Sequence, residues 1–195
     1  MIRPPFPITI CGPSGVGKTV LVDRLLTRDP PLIESVSATT RAPRSGEVNG
    51  VHYHFQDKAG FEKLIAENGL LEWALVHGFY YGTPLAPLEA NLGDGRWVIL
   101  NIDVQGAANL RKLRADAALI FVLPPSMSEL ESRLRERGMN TEEEIAVRLR
   151  NAREEISAAG QFDYFVVNDD VERAVGILES IIRLERGKWG KSATS

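Results

Sequence analysis

The chain has 195 residues, a net charge of −3 and one cysteine, enough length for a single α/β domain with insertions and a core that needs no disulfide. The slight acidity argues against a nucleic-acid partner, whose binders carry a basic excess, and no apolar run nears the roughly 18 residues that argue for a membrane span. The amino terminus lacks the apolar core of a secretory signal and Cys11 has no disulfide partner, so a reducing, cytoplasmic setting is expected.

An apolar run at 8–11 predicts a first strand, and it leads into Gly12-Pro13-Ser14-Gly15-Val16-Gly17-Lys18-Thr19. These residues fit G-x-x-x-x-G-K-[ST], and a helical pattern over 17–27 follows them. The glycines let the backbone curl so that successive N–H groups face phosphate oxygens, and the helix N-terminus adds partial positive charge. Lys18 would reach the outer phosphates of a nucleoside triphosphate, and the Thr19 hydroxyl would face Mg²⁺.

Further strands are expected at 33–36, 97–102, 118–123 and 164–167. Helices are expected at 104–114, 127–137, 141–158 and 170–186. This alternation predicts a three-layer α/β fold with a parallel central sheet. The helix from 141 has a capping box, Thr141 with Glu144, and an apolar stripe at Ile145, Leu149, Ala152 and Ile156. The last helix carries a core stripe at Ala174, Leu178, Ile181 and Leu184.

Two segments break the alternation. Residues 37–96 read as a β-rich insertion with one helix near 58–66 and a hairpin turn signal at Asn49-Gly50. Residues 126–158 are rich in arginine. In the insertion, Arg41 and Arg44 stand beside hydroxyl residues, and tyrosines follow. Guanidiniums with phenol hydroxyls can hold a dianionic phosphate; on these residues alone a solvated charged surface remains equally open. Asp103 ends the apolar run 97–102, where an α/β sheet presents ligands.

Seven stretches, GPSGVGKT, SATTRAPRSGEVNGVHYHF, LEWALVHG, YYGTP, IDVQGA, LPPS and VNDD, resemble the guanylate kinase family. The long second stretch is far more specific than the phosphate loop, which many nucleotide kinases share. The resemblance runs from Ile8 to about Arg186 and implies transfer of the γ-phosphoryl group of ATP to GMP, with Mg²⁺. It also implies a core of 1–36, 97–125 and 159–195, a GMP-binding region of 37–96 and a helical lid of 126–158.

Matched position by position, the resemblance assigns GMP phosphate contacts to Arg41, Arg44, Tyr53 and Tyr81, and guanine contacts to Ser37, Glu72 and Thr83. Chemistry supports Glu72: guanine presents N1–H and N2–H side by side, and one carboxylate can accept both, whereas adenine has no such pair. A hydroxyl from Ser37 or Thr83 can donate to O6. For the neighbouring Tyr80, packing is the favoured role. Asp103 matches the family aspartate near GMP. Arg133, Arg137 and Arg148 match lid arginines that would spread over the transferring phosphoryl group beside Lys18.

Asn101 stands where the family usually carries a second acidic residue, and Asn101→Asp is expected to leave turnover equal or faster. Asp103-Val104-Gln105-Gly106 also fits the D-x-x-G of GTPase switches, but no N-K-x-D occurs in the chain. Two rivals are a P-loop kinase for another phosphorylated acceptor and a non-catalytic interaction module on the same fold. The combination of Glu72, Ser37 and Thr83 argues against the first; Lys18, Arg137 and Arg148 argue against the second.

Overall fold

Strand β1 (Pro7–Cys11) is buried along its whole length and occupies the centre of a five-stranded sheet. A computed structural model describes residues 5–76, 78–114, 117–136 and 141–188. After β1 come α1 (Lys18–Arg28), β2 (Leu32–Glu34), β3 (Ala38–Thr39), β4 (His54–Phe55), α2 (Lys58–Ala66), β5 (Leu70–Val76), β6 (Phe79–Pro84) and α3 (Leu85–Gly93). The chain continues through β7 (Trp97–Leu100), α4 (Val104–Leu113), β8 (Ala118–Leu123), α5 (Met127–Glu136), α6 (Glu142–Ser157), β9 (Tyr164–Val167) and α7 (Val171–Gly187).

The main sheet runs β2-β7-β1-β8-β9, with every pairing parallel. Its strands read as near-continuous apolar runs because both faces are covered. On one face Leu21, Val22 and Leu25 of α1 pack with Ala174, Val175, Leu178 and Ile182 of α7. On the other, Leu88 of α3 and Ala107 and Leu110 of α4 join Cys11, Val98, Leu119 and Phe121. Helix α1 has 11 residues, and a helix of this length is marginal alone in water. Burying each of its leucines contributes roughly 1.5–3 kcal/mol, so packing decides its existence. Among the described residues no helix is long and apolar enough to cross a membrane.

A second, four-stranded sheet runs β4-β3-β6-β5. It differs from expectation in two ways. The segment around Asn49-Gly50 does not close a hairpin: β3 and β4 pair in parallel, Ala38 with His54, so the chain between them loops back to run the same way. The antiparallel hairpin is β5–β6. The insertion also holds a second helix, α3. Its signal was present in Leu85, Leu88 and Leu92, while Pro87 falls in the first turn, where a missing N–H is tolerated.

Helices α5 and α6 share a small core of their own, Leu130, Leu134, Ile145, Leu149 and Ala152. The capping box forms as expected, Thr141 N–H to Glu144 at 2.9 Å and Glu144 N–H to the Thr141 hydroxyl at 3.3 Å. In α7, Leu184 departs from the expected stripe: it is 56% exposed, and Ile182 faces the core instead.

Candidate active site

The loop Gly12–Lys18 leaves the C-terminal end of β1, and steric limits dictate its glycines. A Cβ on Gly12 would stand 2.4 Å from the Val122 carbonyl oxygen, and Gly17 caps α1 at φ 99°. Both conformations exclude ordinary side chains. Lys18 lies folded across the loop, its Nζ donating to the carbonyls of Gly12 and, at 3.3 Å, Pro13. Thr19 is exposed in the first turn of α1. Asn168 Nδ2 donates to the Val16 carbonyl at 2.7 Å, and Arg133 of α5 donates to the carbonyls of Val16 at 3.4 Å and Asn168 at 3.1 Å. Arg148 of α6 donates to the Ser14 hydroxyl at 2.9 Å.

Opposite the loop, β5 and β6 place Glu72 beside Thr83 in register. Glu72 is only 4% exposed and accepts the Thr83 hydroxyl at 2.7 Å. Burial pushes its carboxyl up to about 7; the Thr83 hydrogen bond opposes the rise and nearby Asp103 adds to it. Thr83 is fully buried and its proton is committed to Glu72, so it orients the carboxylate. Asp103 caps α4, accepting Gly106 N–H at 2.8 Å.

Arg41 is 11% exposed and lies against Glu47, with Nη1 and Nη2 each 2.9 Å from a carboxylate oxygen. Its Nε donates to the Tyr81 hydroxyl at 3.3 Å, and its guanidinium sits 5.4 Å from the Tyr53 ring centre. Tyr80 stacks on Phe61 with ring centres 5.2 Å apart, which is the packing role expected of it.

These elements enclose a cavity of about 610 Å³. Of the sequence-predicted residues, Gly12, Ser14, Lys18, Ser37, Arg44, Tyr53, Glu72, Tyr81, Asp103 and Arg148 line it. Arg41 and Thr83 stand behind this wall, hydrogen-bonded to Tyr81 and Glu72. A smaller recess of about 330 Å³ opens on the other flank of the loop, between Gly15, Gly17, Arg133 and Asp169. Arg137 lies outside the described residues.

Sequence reasoning named Arg148 on α6 but missed the cavity-facing residues around it, Glu144, Asn151 and Glu155. Glu144, Arg148, Asn151 and Glu155 all line the large cavity, and their spacing puts them on one helix face. The stripe lies beside the apolar Ile145, Leu149 and Ala152, so the alternation of apolar and polar faces carried the signal. Burial raises the Glu155 carboxyl above its usual range, with Lys18 opposing and Asp103 adding. Asn101 was flagged only as a departure; it lines the cavity and donates to Glu34 at 3.3 Å.

A phosphate loop at the end of a parallel sheet, facing a buried carboxylate across a nucleotide-sized cavity, defines a P-loop nucleotide-binding protein with room for a second ligand. Comparison with known proteins narrows the class. The family model described as guanylate kinase matches residues 5–185. A protein named guanylate kinase from Parasynechococcus marenigrum is 52% identical over 175 residues, covering 90% of this chain and 96% of that protein. Another of the same name, from Carboxydothermus hydrogenoformans, is 46% identical over 181 residues, covering 93% and 89%. The crystal structure of guanylate kinase from Anaplasma phagocytophilum matches with a TM-score of 0.79 and 33% identity, over 96% of this chain and 90% of that one. The chain belongs to the guanylate kinase family.

Proposed function

We infer that the chain transfers the γ-phosphoryl group of ATP to GMP, giving ADP and GDP. The observation that carries this reading is Glu72: a carboxylate buried in the β5–β6 wall of the cavity whose opposite wall is the phosphate loop. In its ionised form it accepts guanine N1–H and N2–H together. Ser37, on the same cavity, donates to O6, and Thr83 fixes the carboxylate's orientation. AMP would set its N1 lone pair against this charge. A site whose buried polar groups are left unpaired rejects the wrong ligand by about 10⁴-fold or more.

The acceptor's phosphate falls to Arg44, Tyr53 and Tyr81, with Arg41 behind them. ATP phosphates lie along the backbone of Gly12, Pro13, Ser14, Gly15, Val16 and Gly17, and Lys18 leaves the carbonyls it now holds to reach them. The recess beside Arg133 and Asp169 suits the donor's remaining portion, because it opens from the same loop away from Glu72. Thr19 fits the role of magnesium ligand: it carries a hydroxyl and is an exposed residue beside Lys18 in the first helical turn. Bound there, Mg²⁺ would offset phosphate charge and align the donor. Asp103, at the start of α4, lines the same cavity as Lys18 and Glu72, placed to order the acceptor.

Residues 126–158 act as a lid in this reading, supported by the separate core of α5 and α6. Arg133 and Arg148 would spread over the transferring phosphoryl group, with Arg137 added on the family resemblance alone. Lid closure would exclude water, the competing acceptor. The chemistry needs no strong general base, since the acceptor phosphate is already anionic.

A coupled assay of ADP release with GMP, AMP, CMP and UMP tests the reading. Turnover confined to GMP is the expected result. Brisk phosphorylation of another acceptor, or nucleotide binding without any turnover, would contradict it.

A further inference from the structure

The segment Arg41–Glu47 is folded around one carboxylate. Glu47 Oε1 and Oε2 accept from the two terminal nitrogens of Arg41, and Oε2 also accepts Arg44 N–H at 2.7 Å. The Glu47 N–H returns to the Arg44 carbonyl at 3.1 Å. Both side chains are largely shielded, 11% exposed for Arg41 and 17% for Glu47. The Arg41 guanidinium also faces the rings of Tyr53 and Phe55, 5.4 and 5.7 Å from their centres.

This arrangement commits almost all of Arg41. One Nη1 donor goes to the Ala42 carbonyl and the other to Glu47; one Nη2 donor goes to Glu47; Nε–H goes to Tyr81. A single Nη2 donor stays open among the described residues. Arg41 therefore cannot grip a phosphate bidentately while the clamp holds. Its larger effect passes through Tyr81. By accepting from Arg41 Nε, the Tyr81 oxygen must direct its own proton elsewhere, and Tyr81 lines the cavity. Arg44, by contrast, is exposed, lines the same cavity and has its backbone fixed by Glu47.

We propose that Glu47 is the positioning residue of the acceptor-phosphate site: it locks Arg41 so that the Tyr81 hydroxyl and one Nη2 donor are pre-aimed, and it anchors the backbone from which Arg44 swings as the bidentate arm. The inference rests on the GMP reading above, and it adds a residue that never touches substrate. Neutralising Glu47 would release Arg41 from its aim and leave Tyr81 free to rotate its proton. Loss of aim weakens the phosphate contacts and leaves the guanine contacts of Glu72 untouched.

The test uses the full chain with GMP and with guanosine, which keeps the base and lacks the phosphate. Wild-type turnover of GMP is measured first; its absence would sink the proposed activity itself. Glu47→Gln is expected to raise the KM for GMP by at least about tenfold, a misplacement effect, with a smaller fall in kcat. Competition by guanosine is expected to stay within about twofold of wild type, since no phosphate contact is involved. In an Arg41→Gln background, adding Glu47→Gln is expected to raise the KM for GMP by clearly less than it does alone, since only the Arg44 anchor is left to weaken and coupled residues are not additive. Normal wild-type turnover combined with equal weakening of GMP and guanosine, or with full multiplication of the two substitutions, would overturn the positioning role alone. If Glu47→Gln does not fold, Glu47→Asp, one methylene too short to span Arg41 and the Arg44 amide together, carries the same readout. Selective loss of GMP supports the role, and loss of both ligands or of neither overturns it.

Discussion

A Cβ atom on Gly106 would stand 2.6 Å from Glu72 Oε2, so the first turn of α4 and the β5 carboxylate occupy contiguous space. That contact links the Asp103-Val104-Gln105-Gly106 stretch to the acceptor pocket for a steric reason, with no part for a GTPase switch.

Gly106→Ala separates stability from function. The clashing atom is the far end of a side chain, which can turn aside at little cost to the fold, but turning it spoils the guanine contact. The unfolding midpoint is expected to fall by no more than a few degrees, while the KM for GMP rises by about 10- to 100-fold. The KM for ATP should hold. A large loss of stability with normal GMP affinity would show that the glycine matters only to packing.

Glu72 also sets a pH dependence. Its folded carboxyl titrates near 7, above the ordinary 4.5. Only the ionised form accepts two donors, so the KM for GMP should rise as pH drops below about 7, by up to tenfold per unit. The stability contribution has the opposite sense: burial penalises the ionised form, so folding gains at acid pH and loses that gain as pH climbs from 4.5 to about 7. Because the Thr83 bond holds the carboxyl down, Thr83→Val should move the midpoint of the GMP profile upward. A profile that shifts down, or does not move, would count against the Thr83–Glu72 couple.

Asn168 supports the phosphate loop from below, its amide on the Val16 carbonyl and itself only 3% exposed. Asn168→Leu leaves that carbonyl only the longer Arg133 contact at 3.4 Å, a loss of about 0.5–1.5 kcal/mol. Thermal unfolding should register it, and the KM for ATP should rise while GMP affinity changes little. Equal damage to both substrates would mean that the amide serves the whole cavity.

For Asn101→Asp the fold adds an expectation for stability. The sequence alone suggested turnover equal or faster. In the fold, Asn101 donates to Glu34, whose carboxyl is already raised by burial, with the Asn101 bond opposing and Asp23 adding. An aspartate would put two carboxylates together. The variant should therefore be less stable above pH 7 than at pH 5, as read by thermal melts. Unchanged stability at both would show that residue 101 and Glu34 do not repel as two carboxylates.

The sheet and its helices were legible because their signals are local. A run such as Ala118–Leu123, short and apolar throughout, suits a strand covered on both faces, and Thr141 with Glu144 marks a helix start. The small sheet was less legible: the two-residue strands β3 and β4 carry no periodicity, and their parallel pairing depends on a loop that closes around Glu47. Most of the proposed site residues meet at one cavity, yet the partners that aim them were not visible. Glu47, Gly106, Asn168 and the α6 stripe act through contacts between segments distant in the chain or through a bent loop. Spacing alone does not encode these.

The central claim is that Glu72 reads the guanine edge, and inosine monophosphate tests it most directly, because it lacks only the 2-amino group. The measurement is the ratio of kcat/KM for GMP to that for inosine monophosphate, in wild type and in Glu72→Gln. Wild type should favour GMP by roughly 10- to 150-fold, the worth of one hydrogen bond to a charged acceptor at about 1.5–3 kcal/mol. The substitution should collapse most of that preference and leave the KM for ATP close to wild type. A preference that survives Glu72→Gln intact would contradict the account.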